Sequence, residues 1–299
     1  MSGTYDDELF YKRMGESEEE DYVGEPSPYI LKANAKLEKS AKTGGICVDA
    51  EKYRRSGSAG NASYVLDALY KYPYLDRVSL ESCLAGGHMP AIEPRKVWEA
   101  LKTLRDFGII DVWHYDNFCF YSLTAAARAQ MGSNKKFKTV VPGYDASVPE
   151  ILGIAGLCRW HAHAVSATSV GLNIVRQTVK VAGQDYLADS YIEFTRAVRY
   201  RLFAYPIPRD GNFAALKDKI LDSWSIQKNS IQKGQASLTV LVSPTLSDAI
   251  ACNRLFSVLS ETAGKTIYYA LDSRKGPMVR GLRGIYKFEE GKLRSIGIE

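Results

Sequence analysis

Four basic residues, Arg95, Lys96, Lys102 and Arg105, sit in the segment PRKVWEALKTLRDFG, and none of them falls on its apolar spacing, Val97, Leu101 and Leu104. Apolar residues at i, i+4 and i+7 form one stripe of an α-helix, so the four bases lie off the buried face. Cationic side chains presented in this way neutralise phosphates and reach base edges in a duplex. Lys135 and Lys136, in the polar stretch GSNKKFK, would add phosphate contacts. The alternative is a solvated face, or one that binds protein. Other chemistry is thinly represented. No G-x-x-x-x-G-K-[ST] occurs, which argues against an ATP-driven activity. The five cysteines (Cys47, Cys83, Cys119, Cys158 and Cys252) are odd in number and include no C-x-x-C, so neither a disulfide framework nor a cysteine zinc site is indicated. His161-x-His163 is too closely spaced for one helix face and reads as packed or capping histidines. Nineteen tyrosines leave a tyrosyl nucleophile open by type, although Tyr200, Tyr205, Tyr268 and Tyr269 read as strand or core residues. Gly281-x-x-Gly284, between Arg280, Arg283 and Lys287, reads as a basic loop or a simple turn.

The elements that position the four bases can be read from the pattern. Pro94 suits a first helical turn and Gly108 a helix stop. Ile109 to His114 and Phe118 to Leu123 are rich in β-branched and aromatic residues, with Asp116-Asn117 as the turn of a hairpin. Tyr64 to Tyr72 reads as a first helix, Ser79 to Leu84 as a short second one, and TAAARAQM as a helix after the hairpin. Helix, helix, recognition helix and hairpin resemble a winged-helix DNA-binding module over residues 61–132.

The chain has 299 residues, enough for two domains, and 45% hydrophobic and 24% charged residues, ordinary for a globular protein. Its apolar runs are far short of the ~20 residues a membrane span needs. No signal-peptide core opens the sequence, so a cytoplasmic protein is expected. Net charge is +5, unevenly placed: residues 1–25 hold nine acids against two bases, and the remainder carries +12. A basic body suits a DNA binder; the acidic end reads as a solubilising extension or a competitor for the basic surface. Residues 1–60 read as largely disordered, with Ser56 to Gly60 as a linker and Ile46 to Val48 as a short strand. Residues 133–149 read as an interdomain linker.

Residues 150–299 alternate helix-like and strand-like segments, which implies an α/β domain. Glu150 to Thr168 reads as a helix, and Val170 to Val181 continues in a helix-like pattern. Tyr191–Phe194, Arg201–Ile207, Ser237–Val242 and Thr266–Ala270 read as strands. Asn212–Gln227 reads as a helix with Leu216, Ile220 and Trp224 inside, and Leu246–Thr262 as another. WHAH, Asp189 with Tyr191-Ile192, LFAYPIPRD, LKDKI, LTVLVSPT and Arg254-Leu255, following a winged helix, resemble the plasmid replication-relaxation family, related to MobC-type relaxases. The overall expectation is an α+β chain, a winged helix followed by a restriction-endonuclease-like domain.

That resemblance implies a first strand acid at Asp189 and a lysine moved to the next helix at Lys219, with acids that hold Mg²⁺. The family's Glu-x-Asp is here Pro206-Ile207-Pro208, which has no carboxylate and also disfavours an interior strand. Asp210 could replace the lost acid, as a metal ligand with Asp189, and so could Glu193, at i+4 from Asp189 on one strand face. The expected function is a DNA-binding accessory protein of a plasmid or other mobile element. It would act in replication or mobilisation at an origin without nuclease activity and without a cofactor. Its partners would be double-stranded DNA and relaxosome or replication proteins, with a homodimer as an option. The alternatives are an active Mg²⁺-dependent nickase or relaxase using Asp189, Asp210 or Glu193 and Lys219, a winged-helix repressor, and a scaffold whose winged helix binds protein.

Overall fold

The computed structural model describes residues 27–40, 48–85, 92–132, 139–142, 146–166, 170–181, 183–195, 199–228, 235–272, 284–289 and 292–296. Lys135 and Lys136, residues 46–47 of the expected short strand, and Gly281 with Arg280 and Arg283 lie outside them. The chain is α+β, with one four-stranded and one seven-stranded sheet among the described residues.

The first part is built from β1 (Leu37–Ser40), α1 (Ala50–Arg55), α2 (Asn61–Lys71), β2 (Leu75–Asp76), α3 (Arg77–Leu84), α4 (Pro94–Asp106), β3 (Ile110–Tyr115), β4 (Phe118–Leu123) and α5 (Ala125–Gly132). The apolar spacing read from α4 is its buried stripe: Val97, Leu101 and Leu104 are all buried, with Ala100 beside them. Gly108 ends the helix with φ 65°, a left-handed backbone that costs a non-glycine residue about 1 kcal/mol. Asp116 also lies in the left-handed region, φ 53°, at the hairpin turn, where an Asp is tolerated better than a β-branched residue. The sheet order is β1-β3-β4-β2, all antiparallel.

The expectation of disorder over residues 1–60 fails for the described part of that range. Leu37–Ser40 adds a strand to the hairpin edge, pairing Leu37 with Tyr115 and Ser40 with Val112. Tyr29 is fully buried against Phe118 and Phe120 at ring distances of 5.0 and 5.6 Å. The SGSAG segment is a single 3-10 turn between α1 and α2 rather than a linker. Local composition favours disorder; the burial of one aromatic and an unpaired sheet edge outweigh it.

The second part starts with α6 (Val148–Ser166), then β5 (Leu172–Val181), β6 (Gln184–Thr195), β7 (Arg199–Pro206), α7 (Ala214–Lys228), β8 (Gln235–Ser243), α8 (Leu246–Ala263), β9 (Ile267–Leu271), β10 (Ile285–Glu289) and β11 (Lys292–Ser295). The sheet runs in chain order from β5 to β11. β5, β6 and β7 are antiparallel; β7, β8 and β9 are parallel, joined through α7 and α8; β10 and β11 are antiparallel again. Alternation along the strands sorts the layers. Phe203, Tyr205 and Leu241 face α7 and α8, against Leu216, Ile220, Trp224 and Phe256. Leu202, Ala204, Val240 and Val242 face α6, against Leu157 and Trp160.

Two further expectations do not hold. Val170 to Val181 is a strand from Leu172, not a continued helix: Ile174, Val175, Thr178, Val179 and Val181 are β-branched, and nine positions of it pair with β6. Pro206 closes an interior strand after all, in register with Val242, and the ladder continues one residue further through the Ile207 N–H to the Val242 carbonyl at 3.0 Å. A proline at the last position of the strand forfeits little of the ladder.

α6 belongs to both parts. It is apolar on nearly every side, as a helix buried all round must be. Ile151, Leu152, Ile154, Ala155, Cys158 and Ala162 join the apolar cluster of α2 and α4, while Leu157, Trp160 and Ala164 join the sheet. Through it runs a buried polar cluster. Arg159 is 1% exposed; its Nη1 donates to Asp76 Oδ2 at 2.7 Å, and its Nε lies 3.2 Å from Asp272 Oδ1. Ser27 Oγ donates to Asp272, and the Tyr29 hydroxyl to Asp76 Oδ2 at 3.1 Å. Burial alone would lower the Arg159 pKa; the charges of Asp76 and Asp272 outweigh it and raise it. Asp76 also caps α3 through the Ser79 N–H at 2.8 Å.

His161 and His163 point to different neighbours, Ser190 Oγ at 2.7 Å and Ser79 Oγ at 3.5 Å. Burial lowers the His163 pKa to about 4 and pushes that of His161 well below its usual value. Burial pushes Asp272 up to about 6. Below pH 6.5 the unfolded histidines take protons that the folded ones refuse, which removes stability. Asp272 works in the opposite sense, since the folded state binds its proton first. Two histidines against one aspartate leave a net loss of roughly 1.4 kcal/mol per pH unit between pH 6 and 4. Urea midpoints at pH 7, 5.5 and 4.5 should fall in that order, and the decline should be flatter in His163→Asn.

Candidate functional site

A cavity of about 210 Å³ opens where β7 ends, walled by the first turns of α6, by α7 and by the β5–β6 pair. Asp189 of β6 is its acid, 4% exposed. Both carboxylate oxygens are held by cations: Oδ1 accepts from Arg176 Nη1 at 3.0 Å, and Oδ2 from Lys219 Nζ at 2.7 Å. The spacing Leu216, Ile220, Trp224 seats α7 on the sheet and leaves Lys219 half-exposed at the rim, reaching in to Asp189.

Arg176 reaches Asp189 from an unusual backbone. Its φ is 52°, between the paired positions Val175↔Ser190 and Gln177↔Ala188. Its carbonyl accepts the Val140 N–H at 2.6 Å, and its Nε donates back to the Val140 carbonyl at 3.1 Å. A left-handed arginine costs about 1–3 kcal/mol, so these bonds and the Asp189 pair hold it against strain.

The family resemblance implies Asp189 and Lys219 in one site, and the structure brings these two side chains into contact. Asp210 lines the same cavity, but it is exposed, and its Oδ1 accepts the Asn212 N–H at 3.0 Å in a local turn. Glu193 does not join them; further along β6, it pairs with Arg199 and Arg201. The set does not fit a divalent cation as arranged. A hard cation needs several free oxygens converging on one point. Here Asp189 has both oxygens committed, Pro206 and Pro208 carry no carboxylate, and among the described residues no group of three His, Cys, Asp or Glu is placed to hold a metal.

Three lining residues do not stand out in the sequence. Ser147 Oγ accepts the Glu150 N–H at 3.3 Å, so α6 presents its capped amino terminus, Ser147 with Glu150, to the cavity. Arg209 lines it from the turn after β7, with its guanidinium nitrogens buried. Gly156 makes room for that side chain: a Cβ there would lie 2.5 Å from Arg209 Nη2 and 3.0 Å from Asp272 Oδ2. The order P-I-P-R-D places Arg209 beside Asp210, but nothing local shows that it turns inward.

The second candidate surface is α4. Arg95, Lys96, Lys102 and Arg105 are all exposed, as the spacing requires. Arg95 pairs with Glu99 at 3.0 Å and Lys96 with Glu93 at 3.6 Å, surface pairs worth little against a polyanion. Neither Lys102 nor Arg105 has an ion-pair partner among the described residues. Trp98 stands on the same face, 49% exposed, with the Arg77 guanidinium 5.6 Å from its ring centroid. Its place in the series 95, 98, 102 and 105 is a readable signal for it, because a large aromatic at a solvent-facing helix position has no core role. The hairpin carries no Lys or Arg between Ile110 and Leu123, so the charge lies on the helix.

The chain matches no protein-family model, no curated protein and no solved structure. Among the described residues no helix is long and apolar enough to cross a membrane.

Proposed function

We propose that the protein binds double-stranded DNA through α4 and serves as an accessory factor of a mobile element, acting in replication or mobilisation at an origin. The observation that carries the proposal is the exposed face of Arg95, Trp98, Lys102 and Arg105, extended by Arg77 on α3. Three helices followed by a hairpin, with a short strand completing the small sheet, support reading this part as a winged helix whose α4 enters the major groove. The second part supports reading it as a nuclease-like frame: a helix, three antiparallel strands, a crossover helix and a parallel strand, with an acid and a lysine in one cavity. In this reading it no longer cuts DNA, because Asp189 is paired with Arg176 and Lys219 instead of holding a metal.

Fluorescence anisotropy with a labelled duplex of about 20 base pairs tests the binding. Affinity should fall steeply as salt rises; no binding at the lowest salt would reject the proposal. Incubation with supercoiled plasmid and Mg²⁺ or Mn²⁺ tests the second part. The expected result is no nicking, and nicking that disappears in Asp189→Ala would establish an enzyme instead.

A further inference from the structure

We propose that α8 is a self-association surface, on which a second copy of this chain packs its own α8 antiparallel about a two-fold axis. Leu255 and Val258 are 57% and 64% exposed, the two most exposed large hydrophobic side chains among the described residues. Apolar side chains scattered over a surface mean little, but these two are neighbours on one helix, at i and i+3. Ala251 and Thr262, also exposed, extend them to the spacing 251, 255, 258 and 262. That alternation of four and three residues is the repeat of a two-helix seam. Thr262 suits it, because its hydroxyl is tied back to the Val258 carbonyl at 3.0 Å. Ala251 is small enough to let two helices approach closely. The stripe is not what seats α8 in its own chain. The opposite face does that, through Leu246, Ala249, Cys252 and Phe256, all buried. A helix with one apolar stripe in the core and another in solvent carries more apolar surface than the single chain uses.

The placing of charge selects a second copy as the occupant. In an antiparallel pair centred between Leu255 and Val258, Leu255 lies against the partner's Val258 and Ala251 against the partner's Thr262. Arg254 and Glu261 are both exposed and fall on the same flank of the stripe, seven residues apart. The antiparallel arrangement brings Arg254 beside the partner's Glu261 and, by symmetry, Glu261 beside the partner's Arg254. One helix therefore supplies both halves of two opposite-charge pairs. A parallel pair would set Arg254 against the partner's Leu259 instead and would align the two helix dipoles. A surface that is its own complement under a two-fold axis fits a copy of itself better than an unrelated protein. A single helix pair is smaller than a standard interface, so the dimer should be weak, with a dissociation constant on the order of 10 µM.

The surface belongs to the second part of the chain and does not rest on the DNA reading of α4. The test is sedimentation velocity of the full chain between about 1 and 200 µM, a range that brackets the expected constant. The average sedimentation coefficient should climb from the monomer value towards the dimer value as concentration rises. Leu255→Glu, which sets a charge at the centre of the seam, should keep the chain monomeric throughout. Leu187→Glu, at a 46% exposed leucine on β6, should leave the association unchanged. Arg254→Glu and Glu261→Arg should each weaken the dimer about tenfold, by setting like charges together at two places, and the double variant should recover most of the loss. All these positions are exposed, so thermal melts should match the parent and show that a monomeric variant is folded. If Leu255→Glu fails to fold, Val258→Glu replaces it. A parent chain that stays monomeric at the highest concentration overturns the proposal. A dimer that survives the seam variants also overturns it, as do charge reversals that fail to compensate each other.

Discussion

Arg159→Met is expected to destabilise the protein by about 3–5 kcal/mol, the usual cost of removing one member of a buried ion cluster. Asp76 and Asp272, 1% and 2% exposed, would both be left without the guanidinium, and among the described residues the Asp272 carboxylate would keep only the Ser27 hydroxyl as a hydrogen-bond donor. Methionine fills most of the volume, so the loss reports the charge and not a cavity. Because Asp76 belongs to the helix–hairpin part and Asp272 follows β9 of the large sheet, the urea transition should be broader than that of the parent, or split. Replacing the cluster as a whole, Asp76→Asn with Arg159→Met and Asp272→Asn, should recover only part of the stability, since the carboxylates are no longer left unpaired but the buried Arg209 guanidinium loses the opposing charge of Asp272. A loss under about 1 kcal/mol for Arg159→Met, with one sharp transition, would show that apolar packing around α6 ties the two parts together without help from the ions.

Replacing Arg95, Lys96, Lys102 and Arg105 together by Ala should weaken duplex binding by about 10- to 100-fold near 0.1 M salt. It should also lower the slope of log affinity against log salt by about 3 to 4, roughly one for each phosphate no longer neutralised. The salt slope decides the matter, because a merely structural effect would reduce affinity without changing it. Exposed side chains on α4 contribute little to stability, so the melting temperature should stay within about a degree or two. Trp98→Ala should lower affinity with the slope unchanged, since a ring stacks or packs but releases no counterions. An unaltered slope in the quadruple variant would move the DNA interface away from α4.

Much of the fold follows from local pattern. Val97, Leu101 and Leu104 define α4, Gly108 ends it, Asp116-Asn117 turns the hairpin, and Leu216, Ile220 and Trp224 seat α7. Each of these is a matter of spacing or backbone conformation within a short stretch of chain. What the pattern does not carry is pairing at a distance. β1 has four residues of no particular strand character and exists because the β3 edge is there to receive it. β5 continues a helix-like pattern only because its first residues lack strict alternation; its β-branched residues from Ile174 to Val181 favour a strand, and the pairing with β6 fixes it. The candidate site divides in the same way. Asp189 and Lys219 are singled out in the sequence only by the resemblance to a family. Arg176, Arg209 and the amino end of α6 are not singled out at all, because they meet only when the ends of four elements converge.

The segment at Ser27 to Tyr29 has a consequence for how the protein is made. Ser27 bonds to the Pro244 carbonyl and to Asp272, 245 residues further along the chain. During synthesis the first of these residues is exposed long before the last leaves the ribosome. The segment around Ser27 therefore completes its contacts only after Asp272 has been released, and pairings of such separation form slowly. A chain halted or cleaved before β9 would keep Asp76 and Arg159 but have no Asp272. Its Ser27 hydroxyl and its Arg159 guanidinium would each lack that buried carboxylate.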